Sequence, residues 1–147
     1  MRILESLNGN ARKSYRDIAK ELKVSLSTVS KRVHKLEDEG VIVGYAPILE
    51  PEKLGYDLQV VVGIQISKGR LIDAQKKIAK DKRVFGVYDV TGDWDSVVMA
   101  RFRNRGELDK FIKKVLSMEY IERSYTNVVL NTVKDEKRVS LPAMGTR

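Results

Sequence analysis

The sequence contains no cysteine and a single histidine, His34, among its 147 residues. The lack of cysteine excludes a disulfide framework, thiol chemistry and any metal site built on thiolates. One histidine cannot form a histidine cluster within the chain, so neither a metal nor a cofactor is predicted. No apolar run approaches the roughly 20 residues of a membrane span, and the chain does not open with a signal-peptide pattern. We therefore expect a cytoplasmic protein that does not contact membranes.

The overall composition favours a soluble globular protein. Hydrophobic residues make up 42% of the chain and charged residues 33%, and 147 residues suffice for one medium domain or two small ones. Lysine and arginine outnumber aspartate and glutamate by 28 to 20, which leaves a net charge of +8. Such an excess indicates a polyanionic partner, with nucleic acid favoured over a membrane surface.

Residues 14–40 (SYRDIAKELKVSLSTVSKRVHKLEDEG) predict two short helices joined by a tight turn at 22–25. Ser14 and Ser25 are candidate N-caps, and Gly40 is a stop signal. Apolar residues recur at helical spacing and are expected to face inward. They are Tyr15, Ile18, Ala19 and Leu22 in the first helix and Leu26, Val29, Val33 and Leu36 in the second. A short helix with Ile3 and Leu7 inward would precede this pair, so the pattern predicts a three-helix bundle.

The outward face of the second helix is typical of a helix that lies in the major groove of DNA. Small hydroxyls near its start can approach base edges closely, and basic side chains can reach guanines or phosphates. The base-edge candidates are Ser27, Thr28 and Lys31, and the phosphate candidates are Lys13, Ser14, Arg16, Arg32 and Lys35. Residues 11–35 hold eight basic against two acidic residues, which is most of the net charge. An ordinary solvated basic face is the alternative, and Arg32 could instead form a structural salt bridge.

The remainder of the chain predicts an α+β architecture. Residues 41–49 suggest a strand that follows the helices, and residues 50–55 a connector or single helical turn. Strand, helix, strand, strand, helix and strand then follow at 58–66, 70–80, 84–91, 96–102, 107–117 and 121–133. This βαββαβ order is the ferredoxin-like arrangement, with both helices on one face of the sheet. We place the domains at 1–49 and 56–134, with a tail at 135–147 whose end, 143–147, is either native or a cloning remnant.

The other face of this sheet is expected to carry apolar groups, among them Val61, Phe85 and Val87. An open and partly apolar sheet face favours burial against a second copy of the chain, which predicts a homodimer.

Several segments in this order resemble the Lrp/AsnC (feast/famine) transcriptional regulators. They are NARKSYRDIAKEL, VSLSTVSKRVHKLEDEGVIVGY, PEKLGY, VTGDWD and VVLNTVK, and together they cover nearly the whole chain. The resemblance implies an N-terminal three-helix (winged) helix-turn-helix domain and a C-terminal ligand-sensing domain of the RAM type. It also implies dimers that assemble to octamers and an amino acid, or a related metabolite, as effector. Lys23 departs from the family, which often has glycine at this turn.

The resemblance also implies an effector site at the Gly-Asp-aromatic-Asp turn and the last strand. Carried over to this sequence, the site residues are Gly92, Asp93, Trp94, Asp95, Thr126 and Asn127. Asp95 suits the ammonium of an amino acid, and the backbone N–H groups of the turn suit its carboxylate. A plain β-turn is the alternative interpretation of GDWD. Thr126 and Asn127 alternate along a strand, so they can share one site only where protomers meet or the strand bulges.

Two other classes of function compete with a regulator. A few proteins of this two-domain type are haem-pathway decarboxylases, which rely on histidine in the sensing domain, whereas His34 lies in the DNA-reading helix. We therefore expect no enzyme activity. A nucleoid-type architectural protein, which binds DNA with little sequence preference, would have the same charge distribution.

Overall fold

The computed structural model describes residues 2–142, so the origin of 143–147 lies outside the described residues. The chain divides into two compact units. Of the described residues, one unit comprises 2–48 and 134–142, and the other is Leu49–Val133. The tail belongs with the first unit because the Asn8 side-chain amide donates a hydrogen bond to the Val139 carbonyl at 3.0 Å.

The first unit is a bundle of three helices, α1 (Arg2–Gly9), α2 (Tyr15–Leu22) and α3 (Leu26–Asp38). Both predicted N-caps are confirmed. The Ser14 hydroxyl accepts a hydrogen bond from the Asp17 backbone N–H at 3.1 Å, and the Ser25 hydroxyl accepts one from Thr28 N–H at 3.1 Å. Each cap satisfies one of the amide groups that the first turn of a helix leaves unpaired.

The core of this bundle contains Ile3, Leu7, Ile18, Val29 and Val33, all predicted and all buried. Leu26 was expected to face inward, and this prediction is wrong, because its side chain is 49% exposed. Leu26 lies in the first turn of α3, whereas the buried contacts of that helix begin one turn later, at Val29.

Lys23 ends α2 in the left-handed region, with φ of 54°. It is the single non-glycine residue with positive φ among residues 2–142. For a residue with a Cβ atom this conformation costs roughly 1 kcal/mol relative to glycine.

We expect Lys23→Gly to raise the free energy of unfolding by up to about 1 kcal/mol, since glycine adopts this φ without steric cost. Urea unfolding followed by circular dichroism measures the change. The matched control is Lys20→Gly in the last turn of α2, which should lower stability by about 1 kcal/mol because its backbone is helical. Equal losses in both variants would show that Lys23 is not strained.

Residues 41–49 form no strand, which corrects the sequence prediction. Val41 and Ile42 donate backbone hydrogen bonds to the Leu36 carbonyl and so close α3. Beyond them the segment has no regular secondary structure and is largely exposed to solvent, with Val43 94% and Ile48 68% exposed. β-Branched residues favour extended backbone, but a strand requires a hydrogen-bonded neighbour, and no such neighbour lies beside this segment within residues 2–142. The predicted helical turn follows at Glu52–Leu54.

The second unit has the predicted ferredoxin-like order. Its strands are β1 (Leu58–Ile66), β2 (Val84–Asp89), β3 (Ser96–Phe102) and β4 (Ile121–Val128), and its helices are α4 (Leu71–Ile78) and α5 (Arg105–Leu116). The strands form one antiparallel sheet in the order β2-β3-β1-β4. The sequence prediction placed the ends of β2 and β4 too late, at residues 91 and 133. It placed both ends of each helix within two residues of the observed positions.

Both helices pack on one face of this sheet. The buried core combines alternate residues of β1 with Ala74 and Ile78 of α4 and Phe111 and Val115 of α5. The rings of Phe102 and Phe111 lie 5.2 Å apart between their centroids. The helices therefore leave the opposite face of the sheet open.

A β-bulge in β2 decides which residues reach that open face. The register with β3 shifts between Val84 and Gly86, so Phe85 is an extra residue. Val87 therefore lies opposite Val98 and packs against the core, which corrects its predicted place on the open face. Phe85 does lie there, beneath the Arg101 guanidinium, which is 3.8 Å from its ring centroid.

Candidate functional site

The exposed surface of α3 presents most of the residues predicted to contact DNA. Ser27, Lys31, Arg32 and Lys35 are all exposed, and Thr28 is half-buried. Lys35 lies 3.6 Å from Glu39 in a solvent-exposed ion pair. Within residues 2–142, neither Lys31 nor Arg32 has a carboxylate within salt-bridge distance, so the structural salt bridge considered for Arg32 is not formed. These two cations are free to meet an external anion.

Three hydroxyl groups cluster at the start of α3. The Ser25 Oγ atom lies 3.0 Å from Ser27 Oγ and 2.8 Å from Thr28 Oγ1. The N-terminus of a helix carries partial positive charge and unpaired amides, so hydroxyls placed there can join in binding a phosphate or a base edge. Ser25 serves both as the cap and as the centre of this cluster.

Two of the phosphate candidates outside α3, Lys13 and Ser14, already have partners in the free protein. Lys13 Nζ lies 2.6 Å from Glu21 Oε2 and donates to the Ser6 hydroxyl at 3.1 Å. Hydrogen bonds from Lys13 and then Ser6 lower the pKa of Glu21 below its usual value. Ser14 donates its hydroxyl hydrogen to Asp17, which lowers the pKa of that carboxyl group. Arg16 is exposed on the same helix.

Leu26 belongs to this surface, although the sequence pattern assigned it to the core. Its exposed side chain lies beside Ser27 in the first turn of α3. An apolar group at that point can contact a thymine methyl group in the major groove. The sequence signal for this exposure was the position of Leu26 directly after the N-cap Ser25, before the turns of α3 that are buried.

The predicted effector turn is a well-braced connection between β2 and β3. Gly92 has φ of 110°, a conformation that favours glycine. The Asp95 carboxylate accepts a hydrogen bond from the Ile66 backbone N–H at 2.8 Å, and Asp95 N–H donates to the Ile64 carbonyl at 3.0 Å. The Gln65 side chain donates to the Asp93 carbonyl at 2.9 Å. The turn is therefore held across the end of β1.

Trp94 lies flat on the open face of the sheet, over a glycine. A Cβ atom at Gly63 would lie 2.6 Å from the indole ring, so only glycine leaves room for it. Tyr125 of β4 stacks beside the indole with centroids 6.1 Å apart, and the Arg123 guanidinium lies 5.0 Å from the indole centroid. Sequence reasoning missed Tyr125 and Arg123. Gly63 was the available sequence signal for this packing, because a glycine inside a strand often marks a place where another group approaches the backbone closely.

Thr126 and Asn127 lie on opposite faces of the sheet. Thr126 pairs with Val62, whose side chain is in the core, and Asn127 pairs with Val61 on the open face. The irregularity in this ladder lies at Gln65/Ile66, away from both residues, so a bulge does not bring them together. Within one chain, Asn127 shares the open face with Trp94 and Tyr125, and Thr126 does not.

Within residues 2–142, no three or more histidine, aspartate or glutamate side chains lie close enough together to hold a metal ion. None of the helices in this range combines the length and hydrophobicity that crossing a bilayer requires.

Comparison with known proteins places both units in one family. A family model for winged helix-turn-helix DNA-binding domains matches residues 1–43, and a model for the Lrp/AsnC ligand binding domain matches residues 59–139. The chain belongs to the Lrp/AsnC family. It is thus a helix-turn-helix transcriptional regulator with a ligand-binding domain, as the sequence segments indicated.

Individual members of the Lrp/AsnC family resemble this chain over nearly its full length. The HTH-type transcriptional regulator PH1692 of Pyrococcus horikoshii is 46% identical over 94% of this chain and 93% of its own. The structure of Escherichia coli AsnC has a TM-score of 0.86 and 31% identity, and the match covers 92% of each chain. The regulator NMB0573 of Neisseria meningitidis, solved as a complex with L-Met, has a TM-score of 0.86 and 25% identity, with 95% and 92% covered.

Proposed function

We propose that this Lrp/AsnC protein reads duplex DNA with α3, through base-edge contacts from Ser27, Thr28 and Lys31. The observation that carries this proposal is the pairing of a hydroxyl cluster at the helix start with two cations, Lys31 and Arg32, that have no acidic partner within residues 2–142. An unpaired lysine does not have to break an internal ion pair before it meets a guanine or a phosphate. Leu26 adds an apolar contact at the same end of the helix.

The phosphate contacts position the helix but do not specify sequence. Arg16 and Arg32 are exposed, have no salt-bridge partner within residues 2–142 and can reach a phosphate directly, whereas Lys35 is exposed but lies 3.6 Å from Glu39. Lys13 would have to give up its ion pair with Glu21 before it binds a phosphate, so we expect its phosphate contact to be weaker than those of the arginines. Ser14 offers its hydroxyl only if the bond to Asp17 is replaced.

For the effector, we propose a free amino acid at the turn formed by Gly92, Asp93, Trp94 and Asp95. Asp95 provides a carboxylate for the ammonium group, and the turn provides backbone N–H groups for the carboxylate. The complex of NMB0573 with L-Met supports this class of ligand. Asn127 contributes to the site from the open face of the sheet. Thr126 lies on the face that the helices cover, so it contributes only if the Thr126 of a second protomer lies against the turn.

We propose a homodimer in which the open sheet faces of two copies are buried against each other. Within the described chain this face carries half-buried or exposed apolar and aromatic groups, among them Val61, Phe85, Tyr88, Met99 and Tyr125. The exposed apolar side chains of 41–49 are a second surface that a partner could cover. Higher assembly, up to an octamer, and a cytoplasmic location are part of the same proposal, as is the absence of catalysis.

The proposed mechanism couples effector binding to DNA binding through assembly. A dimer holds two α3 helices at a spacing that suits a pseudo-palindromic site, with half-sites about one helical turn or a multiple of it apart. An amino acid bound where protomers meet changes DNA affinity only to the extent that it binds one arrangement better than the other.

Two measurements on the purified protein test this proposal. In vitro selection from random duplex DNA should enrich a pseudo-palindrome, and binding to it should exceed binding to random DNA by about a thousandfold or more at fixed salt. A ratio near one would instead support the nucleoid-type alternative.

A thermal-shift screen against the twenty amino acids should find at least one that raises the melting temperature. A ligand present at about 100 times its Kd adds about 2.7 kcal/mol to the stability of the folded state. No shift with any amino acid at millimolar concentration would contradict the effector part of the proposal and leave the DNA part intact.

A further inference from the structure

Charge is strongly segregated within the second unit. The segments 68–83 and 103–117, which contain α4 and α5 with their flanking turns, together hold twelve basic and four acidic residues. The rest of 56–133, which forms the sheet and its turns, holds two basic and six acidic residues. The helix layer is therefore as positive as the whole chain, although sequence reasoning located the charge mainly in residues 11–35.

The acidic side chains of the helix layer are already engaged. Three of them pair with a nearby cation, namely Asp73 with Arg70, Asp81 with Arg83 and Asp109 with Lys113. The fourth, Glu107, accepts a hydrogen bond from the Arg103 backbone N–H at 3.1 Å. They do not neutralise the remaining lysines of the layer.

Seven exposed lysines of this layer have no salt-bridge partner among residues 2–142. One of them, Lys68, lies in the turn before α4. We call the other six the basic helix face; they are Lys76, Lys77, Lys80, Lys82, Lys110 and Lys114.

Four of these lysines form two pairs on neighbouring parts of the helix layer. Lys76 and Lys80 are four residues apart along and just past α4, and Lys110 and Lys114 are four apart on α5, so each pair lies on one side of its helix. The pKa of Asp81 is lowered mainly by the hydrogen bond from Arg83 and also by the nearby charge of Lys114. The C-terminal half of α5, which carries Lys114, therefore lies close to the residues that follow α4.

We propose that the basic helix face is a second, sequence-independent contact surface for the phosphate backbone of duplex DNA. This inference rests on the proposed function, because it takes duplex DNA as the partner. A group of exposed lysines without salt-bridge partners suits phosphates, whose recognition requires positive charge but no base-specific geometry. Such a surface would hold DNA that does not contact α3.

The test uses the full-length protein with lysines 76, 80, 110 and 114 changed to glutamine, which we call the helix-face variant. Its matched control has arginine at the same four positions and therefore keeps the charge. Binding to a random-sequence duplex of about 40 base pairs is followed by fluorescence anisotropy between about 50 and 200 mM salt.

Each phosphate contact adds about 0.9 to the slope of log K against log salt. The helix-face variant should therefore show a slope smaller by about 2 to 4 and an affinity at least about tenfold lower at low salt. The arginine control should bind like the parent protein. Equal slopes and affinities in the helix-face variant and the parent would overturn the proposal.

A second variant separates this inference from the proposed role of α3. Full-length protein with Lys31→Ala and Arg32→Ala should keep a salt-dependent affinity for random DNA, and adding the helix-face changes should remove it. If the α3 double variant binds a selected site like the parent, the proposed function fails while the helix face stands. If the helix-face variant changes the mass of the protein in solution and leaves the salt slope unchanged, the lysines contact another protein chain and the inference fails. Circular dichroism checks that both variants are folded.

Discussion

Lys31→Ala is expected to weaken binding to a selected DNA site about tenfold or more, because one good contact to a base edge contributes about 1–3 kcal/mol. Lys31 is exposed on the surface of α3 and has no ion pair to restore within residues 2–142, so the loss should come from the DNA contact alone. Anisotropy titrations with the selected duplex and with random DNA measure the two affinities. The ratio between them should fall.

The control for this experiment is Lys53→Ala. Lys53 is also exposed and lies in the turn at Glu52–Leu54, outside the helix-turn-helix. Its replacement by alanine changes the net charge by the same amount as Lys31→Ala. Size-exclusion chromatography with light scattering should give the same mass for both variants. If Lys31→Ala binds the selected site as tightly as Lys53→Ala, Lys31 is not a DNA contact.

Asp95→Asn should abolish most of the thermal shift that the amino acid effector produces. Asparagine retains an oxygen that can accept the hydrogen bond from the Ile66 N–H, so the turn should keep its geometry. It removes the negative charge that we assign to the ammonium group, and a hydrogen bond to a charged group contributes about 1.5–3 kcal/mol. The expected loss of affinity is therefore about tenfold to a hundredfold.

Asp57→Asn is the matched control for this change, because Asp57 is exposed in the same unit, outside the turn. The deaminated analogue of the effector provides a second control. It should fail to stabilise the parent protein, since it lacks the ammonium group. An unchanged thermal shift in Asp95→Asn would remove this carboxylate from the effector site.

The helices could be predicted closely because their information is local. The N-cap hydroxyls of Ser14 and Ser25 and the spacing of Ile18, Val29 and Val33 are set by neighbouring residues, and the structure confirms each of them. The left-handed turn at Lys23 could be anticipated only through the resemblance, because lysine itself gives no indication of positive φ.

The errors arise where a residue's environment depends on distant parts of the chain. Val87 was assigned to the open face by simple alternation, and the extra residue Phe85 reverses that assignment. Leu26 fits the apolar stripe of α3 but lies beyond the residues against which the stripe packs. For residues 41–49, a pattern with β propensity could not show whether a neighbouring strand exists.

The candidate effector site was predictable in its turn but not in its surroundings. Gly92, Asp93, Trp94 and Asp95 are adjacent in sequence, whereas Tyr125 and Arg123 reach Trp94 only through the pairing of β4 with β1. Alternation along β4 did place Thr126 and Asn127 on opposite faces. Which strand lies beside the turn is a property of the sheet order, and no local pattern encodes it.

Trp94 is the only tryptophan of the chain. Its ring lies close to the Tyr125 phenol and the Arg123 guanidinium at the candidate effector turn, so its intrinsic emission reports on a single, known location. Ligand arrival or burial of this face by a second copy would alter the polarity and quenching of one fluorophore without an attached label. Any side chain at Gly63 would displace the indole from its position on the sheet. A change in the tryptophan fluorescence would report this displacement.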